Sequence, residues 1–165
     1  MIVRKFGGSS IGTPERMKNV LSLIQASQEQ QLLVLSAVGG VTDRLIEIYH
    51  SKSKQALESL KEFYHDYILD LLILPENREL ASKYVQESIL HIENEIENLN
   101  LILSQGELVS TYFFSLLALE SQINIQLLYS PDVLKLDEEE NISLQKLSMN
   151  LSTVLNENVD LYIAQ

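Results

Sequence analysis

Hydrophobic spacing along this chain alternates between short strand-like runs and helical stripes. Ile2 to Phe6 reads as a first strand. Thr13-Pro14-Glu15 has the make-up of a helix start: a hydroxyl N-cap, proline at the first helical position and an acid in the first turn. Met17, Val20, Leu21 and Ile24 share one face of that helix, which is expected to end near Gln28. Gln31 to Ser36 is an almost continuous apolar run of strand length, the pattern of a strand buried on both faces. Ala37 to Val41 reads as a loop, and Thr42 or Asp43 can cap the helix that follows.

From Arg44 to Ile73 the pattern is helical, with a break expected at Ser51-Lys52-Ser53. Pro75 ends that stretch and can open the next helix. Val85, Ile89, Ile92, Ile96 and Leu99 mark a second long amphipathic helix, and Gln105-Gly106-Glu107 is expected to begin a third. Asn124 to Tyr129 reads as a strand stopped by Ser130-Pro131-Asp132, and Asp137 to Asn141 as a solvated acidic turn. Ser143 to Asn156 is expected to be helical and Val159 to Ala164 a last strand. The order is β-α-β, a helical insert over residues 44–104, then α-β-α-β. Such alternation predicts an α/β fold, a mainly parallel sheet with helices on both faces.

Composition narrows the function classes. The chain has 165 residues, 45% of them apolar, enough for one domain with a real core. It has no apolar run near the 18 residues of a membrane span, and no signal-peptide pattern follows Met1. A cytoplasmic protein without membrane partners is expected. Cysteine is absent, which excludes disulfides and thiolate metal sites. The net charge of −11 repels polyanions, so nucleic-acid binding is not expected. A local lysine and a few backbone amides can still hold a phosphate. His50, His65 and His91 are widely spaced in helical stretches and form no zinc motif, so no protein-bound metal is expected.

Ligands of open parallel sheets bind beyond the carboxyl ends of the strands. Two glycine-bearing loops fall there: Lys5-Phe6-Gly7-Gly8-Ser9-Ser10 and Ser36-Ala37-Val38-Gly39-Gly40-Val41-Thr42-Asp43. Glycine lets the backbone approach a ligand closely and turn its N–H groups toward it, and successive N–H groups make an anion-binding concavity. Lys5 adds a full positive charge, and Ser9 and Ser10 add hydroxyls. Neither a Walker A loop nor a dinucleotide fingerprint is present. Taken alone, the first loop reads equally as a strand ending in a flexible turn with a solvated lysine. Thr42, Asp43 and Glu107 each have an ordinary role as capping or first-turn residues.

Together, three segments resemble the aspartate kinases of the amino-acid kinase family. "KFGGSSIGTPERMKNV" is similar to their opening signature, "VLSAVGGVTDRLI" to their second and "SQGELVS" to their third. The resemblance implies a three-layer α/β/α sandwich, with residues 1–165 as the N-terminal part of the catalytic domain. It implies transfer of the γ-phosphoryl of ATP, with Mg2+, to the β-carboxylate of L-aspartate, giving 4-phospho-L-aspartate on the route to lysine, threonine and methionine. By position, Lys5 would stabilise the phosphoryl in flight, Gly7, Gly8, Ser9 and Ser36 would bind phosphate, and Thr42 and Glu107 would hold aspartate. Ser9 stands where the family usually has threonine, and Leu108 where a basic residue is usual. No segment resembling the family's nucleotide lobe follows in the 165 residues, so this chain by itself is expected to be inactive. The last strand is expected to lie at an open sheet edge and to favour homo-oligomers. Two other readings are a non-catalytic binding module that keeps the fold, and another kinase of the same fold.

Overall fold

The computed structural model describes residues 1–136, 141–155 and 158–165. β1 (Ile2–Phe6) leads through a short 3-10 turn (Gly8–Ser10) into α1 (Pro14–Gln25). Thr13 caps α1 by accepting a hydrogen bond from the Arg16 amide, 3.3 Å, and Pro14 occupies the first turn, as the sequence pattern requires. β2 (Gln31–Leu35) is followed by four helices: α2 (Val41–Ser51), α3 (Lys54–Leu71), α4 (Pro75–Asn94) and α5 (Leu99–Glu120). β3 (Ile125–Leu128), a short α6 (Ser130–Val133), α7 (Leu144–Val154) and β4 (Leu161–Ala164) complete the described chain.

The four strands form one parallel sheet in the order β1-β2-β4-β3. This corrects the expected position of the last strand. β4 is central, bonded to β2 on one side and β3 on the other, and its residues are almost wholly buried. Its content permits this, since Leu161, Tyr162, Ile163 and Ala164 are apolar on both faces, and the pairing with β2 and β3 decides it. The edges are β1 and β3.

Register divides the side chains between two faces. Leu33, Leu35, Leu161 and Ile163 join the main core with Met17, Val20, Leu45, Leu60, Ile89 and Phe113 from the helices. That core runs unbroken from the sheet into α3 and α4. The other face carries a smaller cluster of Leu128, Val159, Tyr162 and Ala164, packed by Val154 at the end of α7, by Leu155 just after it and by Leu32 of β2. Helices therefore lie on both faces.

Several boundaries differ from the sequence pattern. α1 ends at Gln25, before Gln28. The break at residues 51–53 is present, with Lys52 left-handed (φ 51°) and Ser53 capping α3. α4 stops at Asn94, so Ile96 and Leu99 lie outside it. Asn98 caps α5 by accepting from the Leu101 amide, which places Gly106 and Glu107 two turns inside a 22-residue helix and not at its start. α2 is capped by neither Thr42 nor Asp43. Its N-cap is Gly40 at φ 82°, a conformation that favours glycine, and Val41 is already helical and buried. Residues 137–140 of the expected acidic turn, and Asn156 of the expected α7, lie outside the described residues. α5 is long and apolar enough to cross a membrane, but 67% of its apolar window is buried inside the fold, the behaviour of a central core helix.

Candidate active site

The three glycine-bearing segments meet at the carboxyl end of the sheet, and the glycines are what let them meet. A Cβ on Gly8 would stand 2.7 Å from the Ala37 carbonyl oxygen. One on Gly39 would stand 3.0 Å from the Gly8 carbonyl oxygen and 3.1 Å from the Gly12 Cα. The loops after β1 and β2 are thus in backbone-to-backbone contact. α5 seats against the second loop in the same way: a Cβ on Gly106 would lie 3.0 Å from Ala37 Cβ, Val41 Cγ1 and Leu45 Cδ1.

This packing brings the charged groups together. Lys5 leaves the end of β1 with its ammonium 3.7 Å from the place a Gly7 Cβ would occupy, so the side chain folds back over its own glycine loop. Glu107 is half-buried, and burial pushes its carboxyl above the ordinary 4.5; the Lys5 ammonium acts in the opposite direction. The two are in electrostatic reach without forming one of the ion pairs seen among the described residues, which are Lys52–Glu97 and Lys61–Glu58. A carboxyl raised by desolvation within reach of a lysine makes Glu107 and Lys5 candidates for a functional pair.

Hydrogen bonds fix the frame. The Ser36 amide donates to the Phe6 carbonyl at 3.2 Å, continuing the sheet one residue beyond β2. The Ser110 hydroxyl, fully buried, lies 2.7 Å from the Ser36 carbonyl and 2.9 Å from the Glu107 carbonyl. The Tyr67 hydroxyl donates to the Ile11 carbonyl at 2.7 Å and so ties α3 to the end of the first loop. Arg16 Nη1 donates to the Ser9 carbonyl at 2.9 Å.

Lys5, Gly7, Gly8, Ser9, Ser36 and Glu107 therefore share one corner of the molecule. Thr42 is exposed in the first turn of α2, one residue after the Val41 that packs on Gly106. The sequence pattern marked Gly39 as part of a glycine-bearing loop but gave no role to Gly12, whose bare Cα also admits the neighbouring loop, nor to Ser110 and Tyr67, whose hydroxyls hold the loops. Ser110 follows Glu107 by three residues on one helix, a spacing that puts both on one face. Nothing in the sequence marks Tyr67 apart from its place in an apolar stripe.

The amino acid kinase family model matches residues 1–163. The chain belongs to the amino acid kinase family. Within that family its curated relatives include aspartokinases: Aspartokinase 2, chloroplastic, of Arabidopsis thaliana is 28% identical over 127 residues, 68% of this chain and 23% of the relative. The aspartokinase of Chlamydia pneumoniae is 32% identical over 111 residues, 66% of this chain and 25% of the relative. The chain thus spans about a quarter of the length of these relatives. Among solved structures, E. coli aspartokinase III in complex with aspartate and ADP superposes with a TM-score of 0.83 at 19% identity, over 100% of this chain and 40% of that one. Clostridium acetobutylicum aspartate kinase gives 0.79 at 18% identity, over 99% and 38%. These likenesses establish an amino acid kinase fold for the described sheet and helices.

Proposed function

We propose that this chain supplies the aspartate site and the phosphoryl-cradling loop of an aspartate kinase. The observation that carries the reading is the meeting of Lys5, the Gly7–Gly8 amides and Glu107 at one end of a parallel sheet, held there by Gly8, Gly39 and Gly106. It is supported by family membership and by aspartokinase relatives in sequence and fold.

The chemistry follows from charge. The β-carboxylate of aspartate is ionised at neutral pH, so it attacks without a general base. A carboxylate oxygen forms the new P–O bond as the bond to the leaving ADP oxygen breaks, and the electron pair departs with ADP. No proton moves. The barrier lies in holding two anions in line and neutralising the charge that spreads over the transferring phosphoryl. Lys5 does this on one side and the Gly7 and Gly8 amides on the other, with Ser9 and Ser36 completing the phosphate shell. The Glu107 carboxylate attracts the substrate ammonium, and Thr42 offers a hydroxyl to its carboxylate end. Mg2+ would enter on the phosphates of ATP, the usual mode for that ion.

Calorimetry on the 165-residue chain tests the reading. L-aspartate should bind in preference to glutamate, carbamate and UMP, and Glu107→Gln should abolish the binding. Lys5→Met should spare aspartate and weaken inorganic phosphate. Binding of UMP or carbamate in place of aspartate would identify a different kinase of the same fold, and binding of none would mark a non-catalytic module. The chain covers 40% or less of the solved kinases it superposes on, so ADP release from Mg-ATP and aspartate by these residues alone is expected to be slow. In the whole kinase, Lys5→Met should cost about 100- to 1,000-fold in kcat, the range for removing one preorganised charge-stabilising group.

A further inference from the structure

We infer that Ser110 is a positioning residue of this site: its buried hydroxyl, with one proton shared between the Ser36 and Glu107 backbone carbonyls, fastens the turn of α5 that carries Glu107 to the end of β2 and so fixes where that side chain leaves the helix relative to Lys5. The inference deepens the proposed function and rests on it for the meaning of Glu107, but the geometry stands by itself.

A continuous set of hydrogen bonds runs across the site. The Phe6 carbonyl, next in chain to Lys5, accepts from the Ser36 amide. The Ser36 carbonyl faces the Ser110 hydroxyl at 2.7 Å, and that hydroxyl is 2.9 Å from the Glu107 carbonyl. The backbone thus couples β1 to β2, and one side chain couples β2 to α5. Ser110 is wholly buried, and a buried hydroxyl is expected to be hydrogen-bonded to protein. A hydroxyl on a helix satisfies its needs by bonding back to the carbonyl three or four residues earlier. Ser110 does that with Glu107, yet its shorter contact is the one that leaves the helix, to Ser36. Apolar packing at Gly106 sets how closely α5 approaches the second loop, but it lacks the directional constraint that a hydrogen bond adds. The Ser110 hydroxyl supplies that missing direction one turn from Glu107.

The test needs no ligand. The Glu107 carboxyl is followed by carbon-13 NMR through a pH titration of the 165-residue chain, with Lys5 present and with Lys5→Met. In the parent chain Lys5→Met should raise the Glu107 midpoint, because the lysine holds it down. In Ser110→Ala, and separately in Ser110→Cys, which keeps the volume, that dependence on Lys5 should fall by at least half. Ile92→Val, a trimmed buried residue on α4 that makes no hydrogen bond to the loops, serves as the control for general loosening and should leave the dependence intact. Retention of the full Lys5 effect in either folded Ser110 variant overturns the inference, as does an equal loss in Ile92→Val. Aspartate calorimetry on the parent chain is run alongside. Failure to bind aspartate would overturn the proposed substrate and leave the bridge standing, so the two failures are distinguishable.

Discussion

Replacing Gly106 by alanine sets two effects of known size against each other. On an isolated helix the change is favourable by about 1 kcal/mol, since glycine is a poor helix former. In this fold the new methyl would stand 3.0 Å from three carbons, Ala37 Cβ, Val41 Cγ1 and Leu45 Cδ1, where about 3.5–4.0 Å is comfortable. Leu45 can yield by swinging the end of its side chain. Val41 is β-branched and helical, with one strongly preferred rotamer, and Ala37 Cβ is attached directly to the loop backbone. Two of the three neighbours can retreat only if α5 or the loop moves as a body. Overpacking of this kind costs about 1–3 kcal/mol, so the balance is a loss of about 1 kcal/mol, or a fall of about 2–4 °C in Tm for a chain of this length. Urea unfolding followed by circular dichroism measures it. The control is Gly7→Ala, where the backbone is extended at φ −79° and only the mobile Lys5 ammonium lies nearby, at 3.7 Å; it should be neutral or slightly stabilising. Aspartate affinity should fall in Gly106→Ala, because the displaced helix carries Glu107. A Gly106→Ala protein as stable as its parent or more so, with unaltered aspartate binding, would refute the close seating of α5 on the second loop.

Glu107→Gln should trade binding for stability. The folded state raises the Glu107 carboxyl above 4.5, so its contribution to stability is full below that pH and is lost as pH rises through the folded midpoint. At pH 7 the ionised group is a liability, and the glutamine variant should be at least as stable as the parent while losing aspartate binding; the stability difference should vanish below about pH 4.5, as thermal melts across that range will show. A less stable variant at pH 7 would reverse the sign of the argument. Tyr67→Phe keeps the ring stacked on Phe113 (centroids 5.9 Å apart) but leaves the Ile11 carbonyl without its donor. A loss of about 1–3 kcal/mol is expected in urea unfolding, the cost of a buried unsatisfied acceptor.

Sequence alone determined the kinds of element and most of their places. The Thr13-Pro14-Glu15 start, the apolar Gln31–Leu35 strand and the break at residues 51–53 follow from local rules that act within a few residues: capping, proline geometry and side-chain period. It also pointed to the candidate site residues, through the joint resemblance of three segments to aspartate kinases and not through the first loop alone, which reads as readily as a flexible turn. What it did not fix were matters of long range. The start of α5 at Leu99 was hidden because Gly106, a residue that usually punctuates a helix, is tolerated two turns inside one for the sake of the contact it makes with Ala37, Val41 and Leu45. The central place of β4 depends on pairing with β2 and β3, about 130 and 35 residues away in sequence, which no local pattern encodes. Likewise, only the tertiary structure decided that one buried hydroxyl on α5 would face the end of β2, because Ser36 and Ser110, 74 positions apart in sequence, are brought together by core packing and not by anything either residue carries itself.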